Sequence, residues 1–267
     1  MLRMSHLRVS PGSRLVGAPH NQPESKRQEY HVPASLRRIV PLAALAAAAA
    51  LHPALAAETR YLAPGFESRP AESKLVILPV DMELFSISAG GITEPRADWT
   101  EAAQRNFHAA LAKRGKQLGP HTRVLKDDDV DAFAEVLALE RAVGSAIFIH
   151  HARPNLKLPT KDGRLQWSLG DAVQPLRART GADYALFTWI RDSYTSPERK
   201  AAMMAMLLLG AISFPGEQVG YASLVDLNTG RVVWFNTLNR MSGDLREAGP
   251  AAETVDALLK GFPGVAK

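Results

Sequence analysis

The histidines are the first residues to examine for chemistry, because neighbouring imidazoles can ligate zinc. His150 and His151 form the only adjacent pair in the chain, and Asp162 or Asp171 could supply a carboxylate ligand. If the pair lies in a strand, however, its two rings point to opposite faces and do not reach one ion. The alternatives are a zinc site at His150 and His151 or a structural or solvated pair. The second is favoured, and no cofactor is predicted.

Residues 88–91, Ser-Ala-Gly-Gly, could hold a phosphate through backbone N–H groups. They lack the spacing of the nucleotide-binding glycine motifs and no helix follows directly, so a loop is predicted. No G-x-S-x-G motif is present for a serine nucleophile. Asp81 and Asp192, near predicted strand ends, are the carboxylates that we single out. The sequence predicts no catalytic residue and leaves enzymatic activity open.

The segment 201–214 is the most unusual, since it is apolar apart from Gly210 and Ser213. If it is buried, it is a crossover helix of the core; if it is exposed, it suits a partner protein or a membrane interface. It is shorter than the about 20 residues that span a bilayer. The residues that would form such an interface are Met203, Met204, Met206, Leu207 and Leu208.

Alternating strands and helices must position these residues. Residues 74–80 predict a strand buried on both faces, and residues 98–114 a helix opened by Asp98 as N-cap with Glu101 in a capping box. The three aspartates 127–129 open a second helix that ends at Gly144. Residues 146–149 are then a strand or a helix end.

The second half of the chain predicts a helix kinked at Pro175 and closed by Gly181. A long strand at 182–194 follows, and strands at 219–227 and 232–238 form a hairpin whose turn contains Gly230. A helix at 247–259 completes the chain. The fold class is therefore α/β, a single domain with a mixed sheet, flanking helices and a C-terminal antiparallel hairpin followed by a helix.

The N-terminal part resembles an export signal. Arg37 and Arg38 precede the apolar residues 39–51, and small residues predict cleavage at Ala56 or Ala57. Residues 1–36 are then a disordered leader or a mis-annotated extension, and 37–57 the signal peptide. Residues 58–73 are an exposed segment leading into the domain, which spans 74–267. The alternative for 39–51 is an alanine-rich helix of the folded domain.

Charge and cysteine content exclude several functions. Seven of the 32 basic and two of the 27 acidic residues precede residue 58, which leaves 25 of each. The exported part is therefore near neutral and is not expected to bind nucleic acid. The chain contains no cysteine, so neither disulfides nor a lipid-bearing thiol is available, and a periplasmic protein that is not a lipoprotein is predicted.

Three stretches, residues 75–80, 181–186 and 225–234, resemble an envelope α/β domain shared by CsgG, LpoB and the amino-terminal domain of TolB. The resemblance implies a non-enzymatic role in the cell envelope, with an envelope protein or a second copy as the partner. Peripheral membrane contact through 201–214 is a separate option, which rests on the apolar composition of that segment. The expected function is a periplasmic interaction or assembly accessory factor. The alternative is a periplasmic small-molecule-binding or hydrolytic protein.

Overall fold

The computed structural model describes residues 60–208 and 216–266, so the predicted leader, the signal segment and the cleavage sites Ala56 and Ala57 lie outside the described residues. Within them, eight strands form one sheet. The strands are β1 Arg60–Leu62, β2 Leu75–Ile77, β3 Asp81–Ile87, β4 Thr93–Pro95, β5 Thr122–Val124, β6 Tyr184–Thr195, β7 Gln218–Asp226 and β8 Val232–Arg240. The helices are α1 Ala97–Ala112, α2 Gly115–Leu118, α3 Ala134–His150, α4 Gln174–Thr180, α5 Pro197–Leu208 and α6 Ala248–Leu258.

The long strand β6 organises the sheet. One edge of β6 pairs antiparallel with β7, which pairs with β8 and then β1. The other edge is shared, because residues 184–186 pair in parallel with β2 and residues 189–195 in parallel with β3. Pro79 lies between β2 and β3, where it cannot donate a ladder hydrogen bond. Beyond them, β5 extends the β2 half and β4 the β3 half.

The helices cover both faces of the sheet. On one face α6 packs against α1 and β8, and the Asn236 side-chain amide donates to the carbonyls of Ala257 and Leu258 at 2.8 Å. On the other face α3 packs against β7. Gly144 of α3 lies so close to the Tyr221 ring that a Cβ there would overlap it. The mixed α/β fold with its terminal hairpin and helix is confirmed.

Three local expectations were wrong. The N-cap of α1 is Arg96, without a side-chain cap, because the Asp98 carboxylate instead binds the Arg96 guanidinium at 2.7 and 3.0 Å. The helix α3 continues through Gly144 to His150, since the missing side chain allows close packing rather than ending the helix. Pro175 lies in the first turn of α4 and does not kink it. Backbone N–H groups of the first turn have no acceptor within the helix, so the N–H that proline lacks is not missed there.

The segment before the domain is only partly exposed, contrary to the expectation for 58–73. Arg60–Leu62 is a strand paired with β8, and Arg69 is 1% exposed. The Arg69 backbone also bonds to Gly264 and Ala266 near the other end of the chain. The polar composition that predicted a loop gave no indication of these pairings, which depend on residues distant in sequence. No helix among the described residues has the length and apolar content to cross a bilayer.

Candidate functional site

Four strand ends meet at one end of the sheet, and the segments that extend from them form what we call the tip. The register pairs Ile87 with Thr195, and Asp192 with Gln218, which in turn pairs with Arg240. The ends of β3, β6 and β8 therefore lie together with the start of β7. The tip consists of residues 88–92, the helix α5 and residues 241–246.

The first turn of α5 contacts both neighbouring loops. The Arg199 guanidinium donates to the carbonyl of Ser88 at 3.4 Å, and the backbone N–H of Arg199 donates to the Ser196 hydroxyl at 3.2 Å. On the other side, Lys200 and Met241 line one cleft of about 220 Å³. The start of α5 thus contacts the 88–92 loop and borders the cleft that the 241–246 loop lines.

Large apolar side chains are exposed on this surface. Ile92 is 65% exposed, Met204 65% and Met241 54%, while Met203 is half-buried. Of the methionine-rich segment, Met204 is thus exposed, and the choice between a buried crossover helix and an interface stays a prediction for the rest. The side chains of Met206, Leu207 and Leu208 and all of residues 209–215 lie outside the described part.

Beneath the tip, Asp192 is buried in a hydrogen-bonded network. Its Oδ2 accepts from the Tyr194 hydroxyl at 2.5 Å and from the Gln218 amide at 2.6 Å. The Tyr194 hydroxyl accepts from the N–H of Leu245 at 2.8 Å, and the Thr254 hydroxyl donates to Gln218 at 2.9 Å. Burial raises the pKa of Asp192 to about 6 despite these donors. The network joins β6, β7, α6 and the 241–246 loop.

A cation stacked on two rings holds the same loop. The Arg246 guanidinium lies 4.3 Å from the Trp99 ring centre and 4.4 Å from that of Tyr194, and it pairs with Asp244 at 2.6 Å. Such cation–π contacts are strengthened when partly desolvated. Asp192, which the sequence singled out, is thus bonded through Oδ2 to two neighbouring side chains, and it also lines the cleft of Lys200 and Met241.

The opposite face carries a second buried carboxyl group. Glu140 is 5% exposed, and its Oε1 accepts from the Ser223 hydroxyl at 2.6 Å. Burial, with a smaller contribution from the charge of Asp81, raises the pKa of Glu140 to about 7. Asp81 itself pairs with Arg141 and with Arg191, at 2.5 and 2.9 Å. None of the described histidines lines the cleft beside these groups, so no serine–histidine–carboxylate arrangement is formed there.

The remaining sequence candidates lie apart from these clusters. His150 and His151 are at the end of α3, not in a strand; the His150 Nδ1 is 3.0 Å from the carbonyl of Leu156, and His151 is buried. Among the described residues, no group of three or more metal-ligating side chains is suitably placed. In the 88–91 loop, the Ser88 hydroxyl accepts from the N–H of Ile92 at 3.1 Å.

An apolar groove of about 500 Å³ lies between α1, the strand β2 and the edge strand β5. Its walls come from α1, the α2 turn and the two strands. Val124, on the edge strand β5, is 56% exposed. The lining residues include Leu78, Phe107, His108, Leu111, Ala112 and Val124.

Sequence reasoning did not identify Glu140, Ile92, Met241 or the groove. A signal existed for Glu140, which follows the buried Val136 by four residues and therefore lies on the core face of α3. Ile92 and Met241 are single apolar residues in loops, and their proximity depends on strand register, which one sequence does not reveal.

No family model matches the chain. No curated protein matches it significantly. The chain is similar to the PelC dodecamer structure from Paraburkholderia phytofirmans, with 13% identity over 75% of this chain and 95% of that chain and a TM-score of 0.34. It is also similar to the LpoB C-terminal domain from Salmonella enterica, with 12% identity over 67% of this chain and 88% of that chain and a TM-score of 0.26. For lipoprotein GNA1162 from Neisseria meningitidis the identity is 13% over 71% of this chain and 94% of that chain, and the TM-score is 0.28.

These three matches are weak, with low identities and TM-scores below 0.5. LpoB, one of the proteins named by the sequence resemblance, is among them at the level of a distant structural likeness. The relation to CsgG stays a prediction.

Proposed function

We propose that this chain is an exported, non-enzymatic interaction protein of the bacterial envelope, and that the tip is its contact surface. The observation that carries the proposal is the exposure of three large apolar side chains, Ile92, Met204 and Met241, on segments that extend from the same end of the sheet. Large exposed apolar side chains suit a binding surface, and methionine adapts to irregular partners.

The polar groups support the same conclusion. Asp192 and Glu140 are buried and bonded to neighbouring side chains, whereas the apolar residues of the tip face solvent. A surface held by a rigid polar network beneath it is suited to contact with another macromolecule, because little conformational entropy is lost when it binds. The partner is an envelope protein or a second copy, and the location is the periplasm, reached through the signal at 37–57 without a lipid anchor.

Two variants test the contact surface. A photo-crosslinking residue at Met204 is compared with one at Leu62, which is 37% exposed and pairs with Trp234, near the end of β8 that is opposite to Arg240 and the tip. We expect a discrete crosslinked product from position 204 in intact cells and none from position 62. A product from both positions, or from neither, would contradict the assignment of the tip.

Replacement of Met241 by Glu, with the crosslinking residue kept at position 204, then tests whether both positions belong to one contact surface. Loss of the product with an unchanged thermal transition is expected, because Met241 is 54% exposed and contributes little to the core. A product of twice the subunit mass identifies self-association, a heavier or lighter one an envelope protein. Mass spectrometry of the exported chain tests the predicted signal peptide, and we expect the first residue to be Ala57 or Glu58.

The second candidate function is a periplasmic small-molecule-binding or hydrolytic protein. The apolar groove favours binding over hydrolysis. His108 is the one titratable side chain among the described residues that line the groove. Binding is therefore supported, but the convergent acids and bases of a hydrolytic site are not.

A further inference from the structure

The groove between α1 and the strands β2 and β5 has the dimensions of a small-ligand site. Its volume of about 500 Å³ falls within the roughly 300–1,000 Å³ typical of pockets for small ligands. Apolar side chains form most of its walls, and among the described lining residues only His108 and Thr122 contribute polar side chains. An aliphatic chain satisfies such walls, whereas a peptide backbone would leave its own polar groups without partners.

Two lysines beside the groove have no carboxylate partner. Lys113 and Lys116 directly follow the lining residues Ala112 and Gly115. Both lysines are exposed, and no carboxylate of residues 60–208 or 216–266 forms an ion pair with either. The carboxylates next to the lining are already paired: Glu72 with His121, Asp81 with Arg141 and Arg191, and Asp256 with Arg114. The two lysines are therefore the charges left to meet a headgroup.

A buried cation lies behind the groove wall. The Arg69 guanidinium donates through Nη2 to the carbonyl of Leu118 at 2.6 Å and through Nε to that of Pro263 at 3.1 Å. Its Nη1 has no hydrogen-bond partner in the described structure. A Cβ built on Gly119 would be 3.5 Å from Nη2 and 3.9 Å from Nη1. Leu118 and Gly119 both line the groove, so a charge with little solvent screening stands directly behind it.

We propose that this groove binds a single-chain anionic amphiphile of the fatty-carboxylate class. The aliphatic chain lies between α1 and the strands β2 and β5, and the anionic headgroup lies at the rim formed by His108, Lys113 and Lys116. The proposal is independent of the tip, because the groove and the tip share no described residue.

The test uses dodecanoate below its micellar concentration and isothermal titration of the exported protein. Dodecyltrimethylammonium, with the same chain and the opposite charge, is the matched ligand. Ala112→Trp fills the groove from an exposed position of α1, and Ala109→Trp places the same side chain at an exposed position of that helix outside the groove.

We expect one dodecanoate to bind per chain. The dissociation constant should rise by about tenfold or more in Ala112→Trp and stay unchanged in Ala109→Trp. Lys113→Glu with Lys116→Glu is expected to weaken dodecanoate and to strengthen the cationic probe, and added salt should reduce both effects. Thermal transitions of all variants identify any that fail to fold, and binding is compared only among the folded ones.

Three results would overturn the proposal. The first is an absence of saturable dodecanoate binding to the unaltered protein. The second is equal affinity for the two probes, which would leave an apolar groove without anion preference. The third is a dimer of the unaltered protein that Val124→Asp dissociates, because a second copy would then occupy the groove.

Discussion

The two faces of the sheet each bury a carboxyl group, and the two groups differ in their surroundings. Asp192, on the face of α1 and α6, accepts hydrogen bonds from Tyr194 and Gln218, and its pKa is raised to about 6. Glu140, on the face of α3, accepts a short bond from Ser223, and its pKa is raised to about 7. Burial therefore sets the direction of both shifts, while neighbouring donors and charges set their extent.

The difference also separates the roles of the two faces. The Asp192 network includes the N–H of Leu245 through Tyr194 and so fixes a loop of the tip. Glu140 fixes no loop; it joins α3 to β7 in the interior. A carboxyl group that holds a surface loop and one that holds a core helix should respond differently to substitution.

The largest expected effect is that of Glu140→Gln. The unfolded chain releases this proton near pH 4.5 and the folded chain near pH 7, so the raised pKa favours folding below pH 4.5 and loses that contribution as the pH rises to 7. The amide should abolish this dependence and raise the free energy of unfolding at pH 8 by about 3 kcal/mol. Urea unfolding at pH 4.5 and pH 8 measures the change.

Glu135→Gln is the matched control for that variant, because Glu135 is exposed in the first turn of the same helix. It should leave the pH dependence intact. If Glu140→Gln also retained the slope of the unaltered protein between pH 4.5 and 7, the Glu140 carboxyl group would not be the one that titrates.

Gly144→Ala should have a smaller effect on the same face. The added Cβ overlaps the Tyr221 ring, so α3 must move away from the sheet, at a cost of about 2 kcal/mol in unfolding free energy. Water would then reach Glu140 and lower its pKa toward the ordinary value. Gly249→Ala, where a Cβ has open space, is the control. Equal stabilities of the two variants would refute the close contact.

Tyr194→Phe should have the smallest effect, a loss of about 1 kcal/mol. It removes the hydroxyl that joins Asp192 to Leu245, and the pKa of Asp192 should rise above 6, which NMR titration of the carboxyl carbon measures. Tyr221→Phe is the counterpart on the other face, where the hydroxyl donates to the carbonyl of Arg141 at 3.5 Å, the limit of a hydrogen bond. Tyr221→Phe should lower the free energy of unfolding by less than Tyr194→Phe does. A larger loss in Tyr221→Phe would contradict this comparison.

The strongest sequence patterns predicted the core elements. The apolar residues of β2 and β6 predicted strands, and both are in the sheet. The turn with Gly230 predicted the hairpin, and its positive φ of 69° is observed. These predictions succeeded because β-propensity, apolar runs and turn chemistry act over a few consecutive residues.

The candidate sites were predictable only in part. The methionines of α5 stood out by composition, but the exposure of Met204 and the exposed residues Ile92 and Met241 did not. Asp192 was singled out for its position near a strand end, without any indication of its bonds to Tyr194 and Gln218. Those partners depend on the strand register and on α6, which packs from a distant part of the chain.

The sequence by itself determined the α/β class, the order of most elements and the neutral charge of the chain after residue 57. Tertiary structure decided that Gly144 continues a helix, that Arg69 is buried, and that the tip and the groove exist. Local patterns record the backbone preferences and burial of one segment at a time. A surface or a cavity instead depends on which segments become neighbours, and only the packed sheet determines that.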